Sequence, residues 1–372
     1  MMRTKQMRKK SIIIMPQVRS KICLLVLVLS SLLAGCSREI PLPTQAPALP
    51  TAQIVRSTQP SDASSPTPSP GVDTPTPASA FTPGPYAGLT IQNLAQRSYG
   101  GGGLLVIDEL NNYDLFARYQ ISYLSDGLAI SGFANVPHGE GPFPVVLVLH
   151  GYVDPDEYQL LTYTTIYADY LAEAGFIAIH PNYRNYAASD SGPNLFRVGF
   201  AIDVLNLIAI VREHGGQSGI LEKADPEAIG LWGHSMGGGI VLRALAAGAE
   251  VDAALIYGSM SGDERRNFEH IRDVLDEEGE RNFGELAVPG EALAEISPFF
   301  YYDRIDAPLS VHHGQNDVVV PVSWSEELCE LLADLGKPAE CFFYPGEDHI
   351  FFGQSERVFI DRTIEFFERY LK

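Results

Sequence analysis

Between Leu115 and Val136 the chain alternates apolar and polar positions with a period of two, LFARYQISYL and GLAISGFANV, broken only at Ser125-Asp126-Gly127. That alternation predicts two half-buried strands, and the short polar break with its glycine predicts a hairpin between them. Further on the pattern changes. Short apolar runs, VVLVLH (145–150), FIAIH (176–180), AIGLWGH (228–234), AALIYG (253–258), PLSVHHG (308–314) and CFFYPG (341–346), are separated by segments of helical period at 158–174, 195–213, 236–247, 323–335 and 356–371. A strand that is apolar on both sides belongs to a sheet covered on both faces. Strand and helix in alternation then predict an α/β fold, a mostly parallel, doubly wound sheet preceded by an antiparallel hairpin. No repeat of fixed period points to a solenoid or propeller.

The N-terminal quarter follows neither period. Residues 1–36 hold seven basic residues and no acid, and they end in the apolar run ICLLVLVLSSLLAGC, the order of a secretory signal peptide. The run is shorter than the roughly 20 residues a membrane-spanning helix needs. Its end, Leu33-Ala34-Gly35-Cys36, resembles a bacterial lipobox, which implies a lipidated Cys36 and an exported protein anchored to the bacterial membrane. Residues 37–85 contain 12 prolines and 14 serines or threonines with Phe81 as the only aromatic. Such a segment cannot bury enough apolar surface to offset its ordering entropy, so it reads as a disordered tether. The folded domain is expected over 86–372. With a formal charge of −20, made more negative by loss of the basic leader, the chain lacks the basic stripe a nucleic-acid partner requires.

Candidate chemistry sits where the 228–234 run ends. There Gly233-His234-Ser235-Met236-Gly237-Gly238-Gly239 leads into a helical pattern, so a hydroxyl is placed on a sharp strand-to-helix turn among glycines. A bare Gly-x-Ser-x-Gly is a weak signal; the strand–turn–helix setting gives it weight. A serine needs a base and the base needs an orienting acid. His349, in the loop after the last strand, is the candidate base, and Asp317, directly after the penultimate strand, the candidate acid; Asp348 is the rival acid but adjoins the histidine in sequence. Backbone N–H groups of Met236 and Tyr152 are the candidate donors to an oxyanion. This chemistry calls for no cofactor and no metal: His312 and His313 are adjacent strand positions that point to opposite faces, and no cysteine or carboxylate cluster completes a site. The insertion 261–297, rich in acids, forms either a helical cap over the site or a solvated face. Once the leader is gone and Cys36 is lipidated, Cys329 and Cys341 are the remaining cysteines, and the turn at Gly336-Lys337-Pro338 can bring them within disulfide reach or leave two buried thiols.

From about residue 115 to the end the chain resembles the α/β-hydrolase superfamily, and within it the prolyl oligopeptidase-type catalytic domain and its dienelactone-hydrolase-like relatives. The resemblance rests on YLSDGLAISGFANVP leading to GPFPVVLVLHGY, on HPNYR, on DPEAIGLWGHSMGG, and on ISPFFYYDRIDAPLSVHHGQNDVVVPVSWSEELCELLADLGKPAECFFYPGEDH. It implies Ser235 as nucleophile, Asp317 as acid, His349 as base, and Tyr152 and Met236 as oxyanion donors. It also implies a serine peptidase, or alternatively a carboxylesterase acting on small acyl esters. Two departures stand out. The roughly 60 residues between Tyr86 and the first core strand could not build even two propeller blades, and the elbow carries serine where dienelactone hydrolases carry cysteine. A hydrolase fold used only as a binding module is the remaining alternative; an intact Ser, Asp and His set in the expected chain order argues against it.

Overall fold

The structure, a computed structural model, describes residues 53–54, 86–275 and 284–372. The expected leader and lipobox at 1–36 lie outside the described residues, as does the expected tether at 37–85 apart from Gln53 and Ile54. Ten described strands form one sheet: β1 (Gln53–Ile54), β2 (Leu105–Asn112), β3 (Phe116–Ser125), β4 (Leu128–Pro137), β5 (Phe143–Leu149), β6 (Ile177–Pro181), β7 (Ala224–His234), β8 (Ala253–Tyr257), β9 (Leu309–Gly314) and β10 (Ala339–Tyr344). Their order is β1-β10-β9-β8-β7-β5-β6-β4-β3-β2. From β6 to β10 the neighbours run parallel, whereas β2, β3 and β4 are antiparallel. Helices are α1 (Ile91–Gln96), α2 (Thr165–Glu173), α3 (Val198–His214), α4 (Met236–Ala246), α5 (Glu264–His270), α6 (Gly290–Ile296), α7 (Val322–Asp334) and α8 (Gly353–Leu371).

The period-two rule accounts for the two-sided burial. On β5, Val145, Leu147 and Leu149 enter one core cluster with α3 and α4, while Val146 and Val148 enter a second with α2 and α8. Along β7, Ile229 and Leu231 face the first and Ala228 and Trp232 the second. Strand β7 lies at the centre, and α8 packs so closely on it that a Cβ on Gly230 would stand 2.7 Å from Phe367. The predicted hairpin turns at Asp126 and Gly127, both with positive φ (54° and 80°), as a two-residue loop between right-twisted strands requires.

Three differences from the sequence pattern have physical causes. The helix predicted over 158–174 begins only at Thr165: Leu161 and Tyr163 take left-handed φ (69° and 70°), and the segment before α2 hydrogen-bonds outward, Tyr158 donating to Asn182 Oδ1 at 2.8 Å. Strand β2 is nearly all exposed and shows no alternation, because an edge strand with little face to bury carries no apolar period. Within the expected tether, Gln53–Ile54 pairs antiparallel with Glu340 and Cys341, because the outer backbone groups of β10 offer hydrogen-bond partners to a further strand; β1 thereby becomes the sheet edge opposite β2.

Cys329 of α7 and Cys341 of β10 are joined in a disulfide, with Cα atoms 6.5 Å apart. The bond ties the helix following the Asp317 loop to the strand preceding the His349 loop. It closes a loop of 12 residues in sequence separation. Reduction is expected to cost about 3 kcal/mol in the chain-entropy account, read as a lower denaturation midpoint in dithiothreitol, with a Cys329→Ser and Cys341→Ser double variant insensitive to the reductant. Equal midpoints with and without reductant would contradict it.

Candidate active site

Ser235 occupies the turn between β7 and α4 with φ 55° and ψ −117°, a conformation costly for a residue with a side chain. Its backbone is held on both sides. Ser235 N–H donates to Tyr257 O at 2.9 Å, and its carbonyl accepts from Gly238, Gly239 and Met260. The glycines answer to close approach: a Cβ on Gly233 would stand 2.5 Å from the Gly237 oxygen, and one on Gly237 2.2 Å from the Leu149 oxygen. Strand, turn and helix can pack at this distance only without side chains, and the result lifts Ser235 into a cavity of about 890 Å³ at the carboxyl edge of the sheet.

The loop after β9 carries Asp317 and the loop after β10 carries His349, so parallel neighbours deliver both to the same edge. His349 Nδ1 lies 2.7 Å from Asp317 Oδ2. The Asp317 side chain is shielded from water and its two oxygens have four partners: Oδ1 accepts from the Val319 and Val320 N–H groups, each at 2.8 Å, while Oδ2 meets His349 and, at 3.1 Å, Nε2 of His313. Burial by itself would raise this carboxyl's pKa. The hydrogen bonds from His313 and His349 and the backbone donors outweigh it and hold the group well below the usual carboxylate range. An ionised Asp317 accepts from His349 Nδ1–H, which leaves the Nε2 lone pair as the basic atom of that ring; this tautomer is assigned from the hydrogen bonds. Ser235 and His349 line the same cavity, and Tyr152 and Met236 line it with them. Asp348, the rival acid, instead accepts from the Val318 and His349 backbone N–H groups.

Two neighbouring histidines brace these parts. His234, buried under the turn, is pushed down to about 3 by burial first and by the nearby His349 second, so it is neutral. A neutral ring fits its contacts: Nδ1 accepts from the Tyr163 hydroxyl, and Nε2–H donates to the His349 carbonyl at 3.0 Å. His150 is lowered to about 4 by burial, and its shortest contact is Nδ1 to the Gly151 oxygen at 2.7 Å. Fixing that carbonyl fixes the rest of the planar peptide, including the Tyr152 N–H on its opposite side. Met236 is the first residue of α4, where N–H groups have no partner within the helix and the helix dipole favours negative charge.

The sequence pattern therefore places Ser235, His349, Tyr152 and Met236 around one cavity with Asp317 behind His349. Cys36 lies outside the described residues, and Cys329 and Cys341 form a staple away from the cavity lining. Reasoning from sequence missed His313 as a partner of Asp317, although its position in HHGQND, four residues before the acid, was a usable signal; it missed Tyr163 with no signal available. His312 faces the other way, hydrogen-bonded to Ser310 and Tyr344. Among the described residues no group of three or more His, Cys, Asp or Glu side chains could hold a metal ion. The insertion after β8 contributes Phe268, His270, Ile271 and Glu285 to the cavity wall.

Residues 216–372 match the model of the prolyl oligopeptidase family. The protein is a serine hydrolase with the α/β-hydrolase fold. The hydrolase is 25% identical over 240 residues to the uncharacterized peptidase YtmA of Bacillus subtilis, covering 63% of this chain and 86% of that one. An acetyl xylan esterase from Paenibacillus sp. R4 superposes with a TM-score of 0.56 at 18% identity, over 76% of this chain and 92% of the other. The acylaminoacyl peptidase of Pyrococcus horikoshii superposes with a TM-score of 0.53 at 22% identity, over 70% of this chain and 42% of that protein. No helix among the described residues is long and apolar enough to cross a membrane.

Proposed function

We propose that the hydrolase works through an acyl-enzyme on Ser235, with His349 as general base and Asp317 as the acid that orients it. The observation that carries this reading is the 2.7 Å contact between His349 Nδ1 and the water-shielded Asp317 side chain, set beside a serine on a strained turn in the same cavity. In the first step Ser235 Oγ bonds to the substrate carbonyl carbon while its proton passes to His349 Nε2. The negative charge that develops on the carbonyl oxygen is met by the N–H groups of Met236 and Tyr152. His349 then protonates the leaving amine or alcohol, the bond to it breaks, and water repeats the sequence to release the acid and free Ser235.

The bond cleaved is that of a peptide, a reading supported by the family match over 216–372 and by the similarity to YtmA. A carboxylic ester is the second reading, favoured because the acetyl xylan esterase is covered over 92% of its length while the acylaminoacyl peptidase is covered over 42%. In this proposal the protein is exported and held at the bacterial membrane by lipid on Cys36. The lipobox-like LAGC and the proline-rich segment behind it support that placement. The test compares kcat/KM on matched aminoacyl or prolyl amides and acyl esters. Amide turnover that disappears in Ser235→Ala supports the peptidase; turnover of esters alone would replace it with the carboxylesterase.

A further inference from the structure

One cation lines the cavity from an unusual position. Arg197 stands at the entry to α3 with left-handed φ (59°), immediately after Phe196 in the same region (53°), and Phe196 is buried and so fixes the turn. Two consecutive left-handed residues with side chains are costly, and the conformation brings the guanidinium to the cavity wall, 4.8 Å from the centroid of the Phe268 ring. Its Nη2 pairs with Glu264. The same carboxylate pairs with Nη2 of Arg243, whose Nη1 also donates to the Ile296 carbonyl at 2.6 Å. All three side chains are largely withdrawn from water, at 14%, 5% and 2% exposure for Arg197, Glu264 and Arg243.

The charges do not cancel. Two guanidinium groups share one carboxylate, so the cluster holds one positive charge in excess where water screens it poorly. Arg243 is sealed inside. Arg197 is the member that reaches the cavity, and among the described residues only its Nη2 has a hydrogen-bond partner, which leaves Nε and Nη1 able to donate. Among the described residues the one carboxylate on the cavity wall is Glu285, and it makes no ion pair with Arg197. A guanidinium that keeps a free N–H in a low-dielectric wall suits a carboxylate, which it can meet with one charge-assisted hydrogen bond.

We propose that the hydrolase selects substrates bearing a carboxylate, which Arg197 anchors while the scissile carbonyl lies at Ser235. The inference rests on the proposed chemistry at Ser235 and adds to it the class of substrate. The carboxylate can belong to the acyl part, as in the half-ester of a dicarboxylic acid, or to the leaving part, as in the free C-terminus of a short peptide.

Two matched pairs separate these sources: 4-nitrophenyl hydrogen glutarate against 4-nitrophenyl pentanoate for the acyl side, and a short peptide with a free C-terminus against its C-terminal amide for the leaving side. In at least one pair the anionic member is expected to have the higher kcat/KM. Loss of one hydrogen bond to a charged group predicts a roughly 10- to 100-fold fall of that ratio in Arg197→Met, with partial retention in Arg197→Lys. The wild-type preference should also weaken as salt rises. Glu285→Gln should raise the ratio, since it removes a repelling charge. Fluorophosphonate labelling of Ser235 in each variant reports whether the nucleophilic site is assembled. Binding of glutaramate against pentanamide to Ser235→Ala by calorimetry reads the same preference without turnover. Ratios near one in both pairs, unchanged in Arg197→Met, with Ser235 still labelled, overturn the anchor and leave the chemistry at Ser235 standing. Absent labelling overturns that chemistry, and the calorimetric comparison then decides the anchor alone.

Discussion

Ser235→Ala is expected to lower kcat/KM by about a millionfold, close to 8 kcal/mol of transition-state stabilisation. The effect follows from the geometry at the turn. Every backbone contact of Ser235, from its N–H to Tyr257 and to its carbonyl from Gly238, Gly239 and Met260, survives the substitution, because none involves the hydroxyl. Alanine meets the same positive φ as serine, so the fold carries the same local strain and only the hydroxyl is lost. A fluorophosphonate probe should label the wild type at one residue and leave Ser235→Ala unlabelled, with unfolding midpoints of the two proteins alike. Equal labelling of both proteins would place the nucleophile elsewhere.

Asp317→Asn is the second large effect, about 10⁴-fold in kcat. An amide in place of the carboxylate keeps one oxygen for the Val319 and Val320 donors and turns an NH₂ toward His349 and His313, where two N–H groups now point. His349 then carries its proton on the wrong nitrogen to act as base toward Ser235. The same substitution changes stability with pH. The folded pKa of Asp317 is depressed, so its contribution to stability is fully present above the unfolded value of about 3.9 and is lost as pH falls below it toward the folded value. The variant should therefore show a flatter fall of stability in acid, measured by denaturant titration at stepwise lower pH. Asp348→Asn is the contrast: its carboxylate holds the backbone of Val318 and His349 rather than the imidazole, and the expected loss is under about 10-fold. A larger loss in Asp348→Asn than in Asp317→Asn would reverse the assignment of the acid.

Several features were legible because they are local. A strand apolar on both faces carries its own sign of double burial, which is why β5, β7 and β8 could be placed from VVLVLH, AIGLWGH and AALIYG, and the left-handed pair Asp126-Gly127 is a requirement of a two-residue hairpin wherever it occurs. The glycines at 233 and 237 announced a tight strand–turn–helix junction for the same reason: only their lack of a Cβ lets Gly237 pass within contact of the Leu149 carbonyl. The order of Ser235, Asp317 and His349 along the chain was readable too, since parallel strands deliver their carboxyl ends to one edge.

Tertiary packing decided what no period encodes. That His313 shares Asp317 Oδ2 with His349, that Tyr163 rather than a continued helix reaches His234, and that Arg197 meets Glu264 across 67 positions are outcomes of how loops from different strands come to rest against one another. Strand β2 was invisible because an exposed edge strand has no buried face to impose alternation. The acidic insertion 261–297 could be read equally as a cap or as a solvated face, since a charge run looks the same in both settings; packing placed Phe268, His270, Ile271 and Glu285 on the cavity wall. Backbone period is set by each residue's immediate neighbours, whereas the partner of a buried polar group is set by whichever side chain the fold brings within hydrogen-bond reach, and that depends on the whole chain at once.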